Sequence, residues 1–273
     1  MTAHRSHWPE YLLEATLLGC FMVSACVVGT VLGHPASPLH RALGGGWMPR
    51  ALGGALMGAT LIAIVYSPWG KRSGAQLNPA LTLTFLRLGK IAPRDAAAYV
   101  AAQFAGGLAG VLAARGLVGM ALGHPAVHYV VTRPGPRGAA VAFAAEAAIA
   151  GVLMTVVLHA TASPRWSRFT GVFAALLVAT YITLESPISG MSMNPARTLG
   201  SAVVAGDWTA LWVYFTAPLL GMLAAAQLYV ARRGMRAVAC PKMAHAEPCI
   251  FCEHAAQTSH AEPRRRRRTA LAV

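Results

Sequence analysis

SGMSMNPARTLGSAV, residues 189–203, is the stretch that decides how this chain is read. Pro195 suits the first turn of a helix, where its missing N–H has no partner to lose. Asn194 before it is among the best N-cap residues. The stretch therefore opens a helix over 194–205 that runs out before Asp207. At 1.5 Å per residue such a helix reaches roughly 16 Å, about half the ~30 Å hydrocarbon core of a bilayer. A half-length helix that begins with an amide and a cation, Asn194 and Arg197, needs a reason to exist among apolar segments.

Those segments are plain in the composition. Of 273 residues, 56% are hydrophobic and 12% charged, and the mean hydropathy is +0.51. Six stretches, 11–33, 48–69, 95–118, 139–162, 169–186 and 208–231, are apolar over a spanning length. A spanning backbone must satisfy its own hydrogen bonds, so an all-α membrane protein is expected. The net charge of +14 does not point to nucleic acid, because its placement is one-sided. Counted from a cytoplasmic N-terminus, Arg5, Lys71, Arg72, Arg87, Lys90, Arg94, Arg165, Arg168, Arg232, Arg233, Arg236, Lys242 and Arg264 to Arg268 fall on one side. Arg41, Arg50, Arg115, Arg133, Arg137 and Arg197 fall on the other. The positive-inside asymmetry places both termini in the cytoplasm of a plasma or inner membrane, with the run Arg264–Arg268 attracted to anionic lipid. Leu17-Leu18-Gly19-Cys20 resembles a cleavage site, but Glu14 interrupts the apolar signal core and apolar sequence continues past Cys20, so an uncleaved first span is expected.

The chain repeats itself. Ser73-Gly74-Ala75-Gln76-Leu77-Asn78-Pro79-Ala80 matches Ser189-Gly190-Met191-Ser192-Met193-Asn194-Pro195-Ala196, and Leu13-Glu14-Ala15 parallels Ala145-Glu146-Ala147. Each half holds three spans, an odd number, so the second enters the membrane from the opposite face and the repeat is inverted. The expected organisation is a first repeat over 1–118 with half-helix 78–88, an extracellular connection over 119–138, and a second repeat over 139–232 with half-helix 194–205. A mobile, basic cytoplasmic tail follows over 233–273. Two half-helices entering from opposite faces can meet tip to tip near the midplane. Non-helical backbone at that depth is allowed only where protein buries it or water lines it. Each tip directs about half a positive charge there, and the Asn78 and Asn194 amides can donate to a passing oxygen.

On Glu14, Ser73-Gly74 with Asn78-Pro79-Ala80, Ala102-Gln103, Glu146, Ser189-Gly190 and Asn194-Pro195-Ala196-Arg197, the chain resembles the major intrinsic protein family, the aquaporins and aquaglyceroporins, over residues 8–232. The resemblance implies six transmembrane helices plus two re-entrant half-helices, a pore in each subunit, a homotetramer, and passive conduction of water or small neutral solutes. That half-helix ends and an arginine exclude cations and protons is the general account for such channels, taken over here rather than read from this chain. It implies that Glu14 and Glu146 support the loops before the half-helices, and that Arg197 belongs to an outer constriction. Carried over by spacing, the other constriction members are Met57, Ile182 and Met191. One residue more than the family pattern around Pro68-Trp69 leaves the register of Met57 open by a position. Ile182 stands where water-selective members have His, and Thr198 where glycerol conductors have Asp, so the solute signals conflict: water with leakage of glycerol, urea or peroxide is expected. Glu185 either lines the outer vestibule or is interfacial.

Gly54-xxx-Gly58 and Gly106-xxx-Gly110 are small-residue patterns that let helices approach closely. In the tail, Cys249-x-x-Cys252 with Cys240 and either His245 or His254 has the donor set of a tetrahedral zinc site; the competing reading is free thiols. No other cofactor is expected. A secondary active transporter also uses inverted repeats and broken helices, but no third paired carboxylate marks a coupling site. The spans offer no nucleophile–base pair for an enzyme.

Overall fold

The computed structural model describes residues 7–247 and 249–256; Arg5 and the Arg264–Arg268 run lie outside them. The regular elements are α-helices: α1 Trp8–Gly33, α2 Pro38–Leu43, α3 Trp47–Tyr66, α4 Pro68–Ser73, α5 Pro79–Arg87, α6 Pro93–Val118, α7 Gly138–Thr161, α8 Thr170–Leu184, α9 Ser186–Ser189, α10 Pro195–Ala205 and α11 Leu211–Arg233. Short 3-10 turns at Gly119–Gly123, His128–Val130, Ser167–Phe169 and Met235–Ala237 complete the order. Among the described residues, six helices are long and apolar enough to cross a membrane: Trp8–Gly33, Trp47–Tyr66, Pro93–Gly123, Gly138–Thr161, Ser167–Leu184 and Leu211–Arg233.

The two halves solve the same packing problem in the same way. In the first, α1 lies on α6; in the second, α7 lies on α11. Gly106 of α6 faces the Ala15 carbonyl of α1 so closely that no Cβ fits, and Gly221 of α11 faces the Ala147 carbonyl of α7 likewise. Ala15 and Ala147 follow Glu14 and Glu146, so small residues draw together the helices whose carboxylates hold the pore loops. Gly54 and Gly58 of α3 approach the Ala179 and Ala175 carbonyls of α8, which joins the halves. Both glycine pairs singled out in the sequence thus serve helix contacts inside one chain.

Two expectations need correction. The second span stops at Tyr66 rather than residue 69, because the Ser67 hydroxyl accepts from Gly70 N at 2.9 Å and caps α4, with Pro68 at its first position. Pro68 and Trp69 lie in that turn, outside α3. The tail is not a free arm throughout. Val238, Met243, Cys249, Ile250 and Phe251 are buried, and residues 250–256 form a helical segment. One end of the molecule gathers Glu10 with Arg72 at 3.0 Å, the Tyr66 hydroxyl on Arg168 O at 2.7 Å, and Met243 N on Gly74 O at 3.2 Å. We call this the tail side. The far side carries the connection 119–137, fastened where Arg133, His128 and Thr209 N converge on Asp207. Burial alone would raise the Asp207 carboxyl, but hydrogen bonds from Thr209, Arg133 and His128 hold it well below the usual carboxylate range.

The glycine contacts give a graded expectation. Gly106→Val and Gly221→Val force α6 off α1 and α11 off α7, each costing about 1–3 kcal/mol or more, seen as lost monodisperse protein and a lowered melting temperature in detergent. Gly116→Ala, where nothing lies within 4 Å, is neutral or stabilising by up to about 1 kcal/mol.

The Asp207 clasp gives a second. A depressed carboxyl contributes stability at neutral pH that is lost only as pH falls below about 4. Asp207→Asn should therefore speed hydrogen exchange over residues 128–133 at pH 7, where wild type is protected, and the two should converge in acid.

Candidate functional site

The short helices α5 and α10 begin inside the molecule, where their first N–H groups have no water to turn to. Asn78 supplies the cap for α5, its Oδ1 accepting from Ala80 N at 2.9 Å. Asn194 does the same for α10, accepting from Ala196 N at 3.0 Å and Arg197 N at 3.3 Å. With each oxygen committed to its own helix, each amide nitrogen points outward, and it meets the other half. Asn78 Nδ2 donates to Met193 O at 2.7 Å, and Asn194 Nδ2 donates to Leu77 O at 2.6 Å. The tips are thus tied by a reciprocal pair of hydrogen bonds, which leaves each amide one N–H for the lumen.

The loops before the caps are extended, non-helical and buried. Ala75 and Leu77 in one, and Met191 and Met193 in the other, have φ of 49°, 53°, 48° and 53°. Left-handed backbone at four residues other than glycine costs of order 1–3 kcal/mol each and persists only where surroundings over-determine it. The surroundings here are carboxylates. Glu146 accepts from Ser192 N, Met193 N and the Ser189 hydroxyl, each at 2.7 Å. Glu14 accepts from Leu77 N and from Gln103 Nε2, the latter at 2.9 Å. Both carboxylates are fully buried. Two tyrosines that sequence reasoning missed close the loops from behind: Tyr99 donates to Ser73 O at 2.6 Å and Tyr214 to Ser189 O at 2.5 Å. A signal was available, since each is followed seven residues later by the close-contact glycine of its helix, Gly106 or Gly221.

Two cavities run past this crossing. The inner one, about 110 Å³ and so roomy enough for several waters, is lined by Gln76, Leu77 and Asn78 from one loop, by Ser192, Met193 and Asn194 from the other, and by Met243 from the tail. A second cavity opens toward the far side between Leu32, Arg50, Val130 and Gly190. Met57, Ile182, Met191 and Arg197 line both cavities and so sit where the two join. Arg197 Nη1 is buried there with no hydrogen-bond partner among the described residues. Pro79, Ala80, Pro195 and Ala196 start the half-helices behind the asparagines. Thr198 turns away, its hydroxyl 2.8 Å from Thr132 and 2.5 Å from Ser192. Glu185 is buried, at 7% exposure, and lines neither cavity.

In the tail, Cys240, His245, Cys249 and Cys252 place one ligand atom each within 4.8 Å of one another. Of the two histidines open to choice in the sequence, the fold brings His245 to the thiols; His254 is not in the group. Met243 as a cavity residue had no sequence signal, because nothing in its neighbourhood marks the tail as folding back.

Six apolar spans, two capped half-helices meeting inside them and a lumen alongside define a multi-pass membrane protein of inverted-repeat build. The family model described as major intrinsic protein matches residues 3–229, and the chain belongs to that family. It is 31% identical over 216 residues to "Probable aquaporin NIP7-1" of Arabidopsis thaliana, covering 79% of this chain and 74% of that protein. It is 37% identical over 216 residues to "Aquaporin NIP3-1" of Oryza sativa subsp. japonica, covering 77% of this chain and 63% of the relative. For "Aquaporin NIP1-3" of the same organism the figures are 40% over 173 residues, 63% and 58%. The match therefore spans less than two thirds of the length of both rice proteins. The X-ray structure of the aquaglyceroporin from Plasmodium falciparum superposes with a TM-score of 0.68 at 21% identity, covering 82% of this chain and 96% of that one, so the fold is shared.

The loop carboxylates make a prediction. Glu146→Leu leaves Ser192 N and Met193 N buried without an acceptor, at about 1–3 kcal/mol for each donor. Its melting temperature in detergent should fall well below that of Glu146→Gln, which keeps one carbonyl oxygen.

Proposed function

We propose that the chain is a passive membrane channel for water and small neutral solutes such as glycerol, urea or hydrogen peroxide. The observation that carries this reading is the position of Arg197, with an unpartnered Nη1 at the junction of two cavities and above a crossing of two helix N-termini. A cation entering that junction meets a guanidinium and two positive helix ends, whereas a neutral molecule finds donors for its oxygen. Met57, Ile182 and Met191 form the rest of the constriction, an apolar and adaptable wall. Asn78 and Asn194 turn a passing oxygen toward the midplane.

The described residues lining the two cavities include no carboxylate. This supports a passive channel over a transporter coupled to protons or cations, which needs an ionisable site in its path, and over an enzyme needing an acid or base. The asymmetry of basic residues supports cytoplasmic termini, and membership of the family supports a homotetramer in which each subunit has its own lumen.

Stopped-flow light scattering on proteoliposomes tests the reading with wild type and Met243→Ala. Faster volume change than empty vesicles for water, and for at least one small neutral solute, is expected. No increase for any of them in either protein overturns it. Ile182→His should cut glycerol and urea passage while sparing water, and Arg197→Val should raise cation leak.

A further inference from the structure

We propose that Cys240, His245, Cys249 and Cys252 bind one zinc ion, and that the metal locks the tail as a plug that seats Met243 in the tail-side mouth of the lumen. The plug rests on the channel reading; the metal site does not.

Cys240, His245 and Cys249 come from irregular backbone and Cys252 from the helical segment that follows, and they converge nonetheless. Cys240 Sγ and Cys249 Sγ are 3.5 Å apart, and His245 Nε2 and Cys252 Sγ are 3.2 Å apart. Zinc bonds of ~2.3 Å to sulfur and ~2.0 Å to nitrogen place tetrahedral ligands roughly 3.5–3.8 Å from each other. These two pairs are thus close to the spacing of an S₃N shell, the other pairs lie within 4.8 Å, and the sulfurs are well beyond the ~2.05 Å of a disulfide. Cys240 and His245 also line a surface cavity with Thr161, Ser167 and Arg168, which gives an ion a way in. Binding releases the protons of whichever thiols were not already ionised, so affinity rises with pH.

The ligands bracket the residues that touch the lumen. Met243 lies between Cys240 and His245, is 4% exposed, and lines the inner cavity. Its N–H donates to Gly74 O at 3.2 Å, in the loop that leads to Asn78. Phe251 lies between Cys249 and Cys252, and its ring meets Tyr99 edge-on at 5.7 Å. Tyr99 holds Ser73 O, so both ends of the metal loop press on one pore loop. Gly74, at φ 99°, is closely covered there: a Cβ would lie 3.0 Å from the Lys242 side chain and 3.1 Å from the Phe251 ring. Apart from the ligand Cys249, the buried apolar side chains of the segment are Val238, Met243, Ala244, Ile250 and Phe251, a small core for ordering a chain of this length, and a metal cross-link supplies what they lack.

The test uses the full chain in detergent and in vesicles, with zinc as the probe. Wild type should bind a single zinc per chain in competition with a chromophoric chelator, and Cys249→Ser/Cys252→Ser should bind none. Hydrogen exchange over 238–253 should be slow with metal and fast without it. Stripping zinc from wild-type vesicles should raise water permeability several-fold. The double variant should already conduct at the raised rate and ignore the chelator, while Met243→Ala should conduct freely with zinc still bound. Absence of zinc binding by wild type, or a Cys240–Cys249 disulfide in freshly purified protein, overturns the site. Zinc binding with permeability unchanged on stripping overturns the plug. If none of the proteins conducts, the channel reading falls, and zinc binding with hydrogen exchange still decides the metal lock.

Discussion

Two hydrogen bonds hold the middle of this protein together: Asn78 Nδ2 to Met193 O and Asn194 Nδ2 to Leu77 O. Each asparagine satisfies its own helix with its oxygen and the opposite loop with its nitrogen, so one side chain type does both tasks. An aspartate would cap as well but has no proton to donate across, and a serine is too short to do both. The crossing brings two positive helix ends together, which is unfavourable by itself and has to be held by surrounding structure. The fully buried Glu14 and Glu146 do this, Glu146 accepting from Ser192 N and Met193 N and Glu14 Oε1 accepting from Leu77 N. Removing either tie releases left-handed residues such as Leu77 and Met193 that have no other reason to stay as they are.

Function resides where the symmetry fails. Carboxylate, tyrosine and close-contact glycine recur in both halves with the same partners, which is what a scaffold built twice would show. The position after the Asn-Pro-Ala is Leu81 in one half and Arg197 in the other. Both line the inner cavity, but Leu81 offers it only an apolar side chain, whereas Arg197 brings a guanidinium and lines the far-side cavity as well. A cation in the first turn of a helix opposes the helix dipole, so Arg197 does nothing for the stability of α10. On the channel reading proposed above, its place is set by what passes it. The loops diverge too: Gln76 accepts from Thr82 at 2.6 Å in a network with Gln103, whereas Ser192 and Thr198 extend to Thr132 in the connection. The far-side loop is thereby tied into the constriction region, and the tail-side loop is not.

Much of this was legible in the sequence because membrane folding leaves few options. A spanning length, a proline after an asparagine and a repeated carboxylate each have one economical explanation inside a bilayer, and the half-helices fall at Pro79–Arg87 and Pro195–Ala205, within a residue or so of the expected bounds. What escaped was local or depended on distant contacts. The end of α3 was set by a serine cap, Ser67, in a run whose hydropathy continues past it. The choice of His245 over His254 depends on the path of an irregular segment, for which periodicity gives no rule. The tail looked free because its burial is achieved by a few scattered residues, Val238, Met243, Ile250 and Phe251, too few to form a pattern.

On the channel reading proposed above, the mixed chemistry of the lumen bears on what it can carry. Polar groups come from the half-helices and their loops: Gln76, Asn78, Ser192, Asn194 and Arg197. The spans contribute Leu18, Phe21, Met57, Leu61, Val178 and Ile182 to the same walls. A hydroxyl or amide stripped of water without a new partner costs several kcal/mol, so a solute must keep its polar groups along one edge to cross. Water does so with its single oxygen. A small polyol or urea does so if its carbon or its bare face lies against the methionine and isoleucine wall, where the loss of hydration is small and contact is gained. An ion cannot, because the opposite wall offers no ligand to replace its shell. On that reading, selection depends on which edge of a molecule is polar and on its size, with four flexible methionines, Met57, Met191, Met193 and Met243, along the passage.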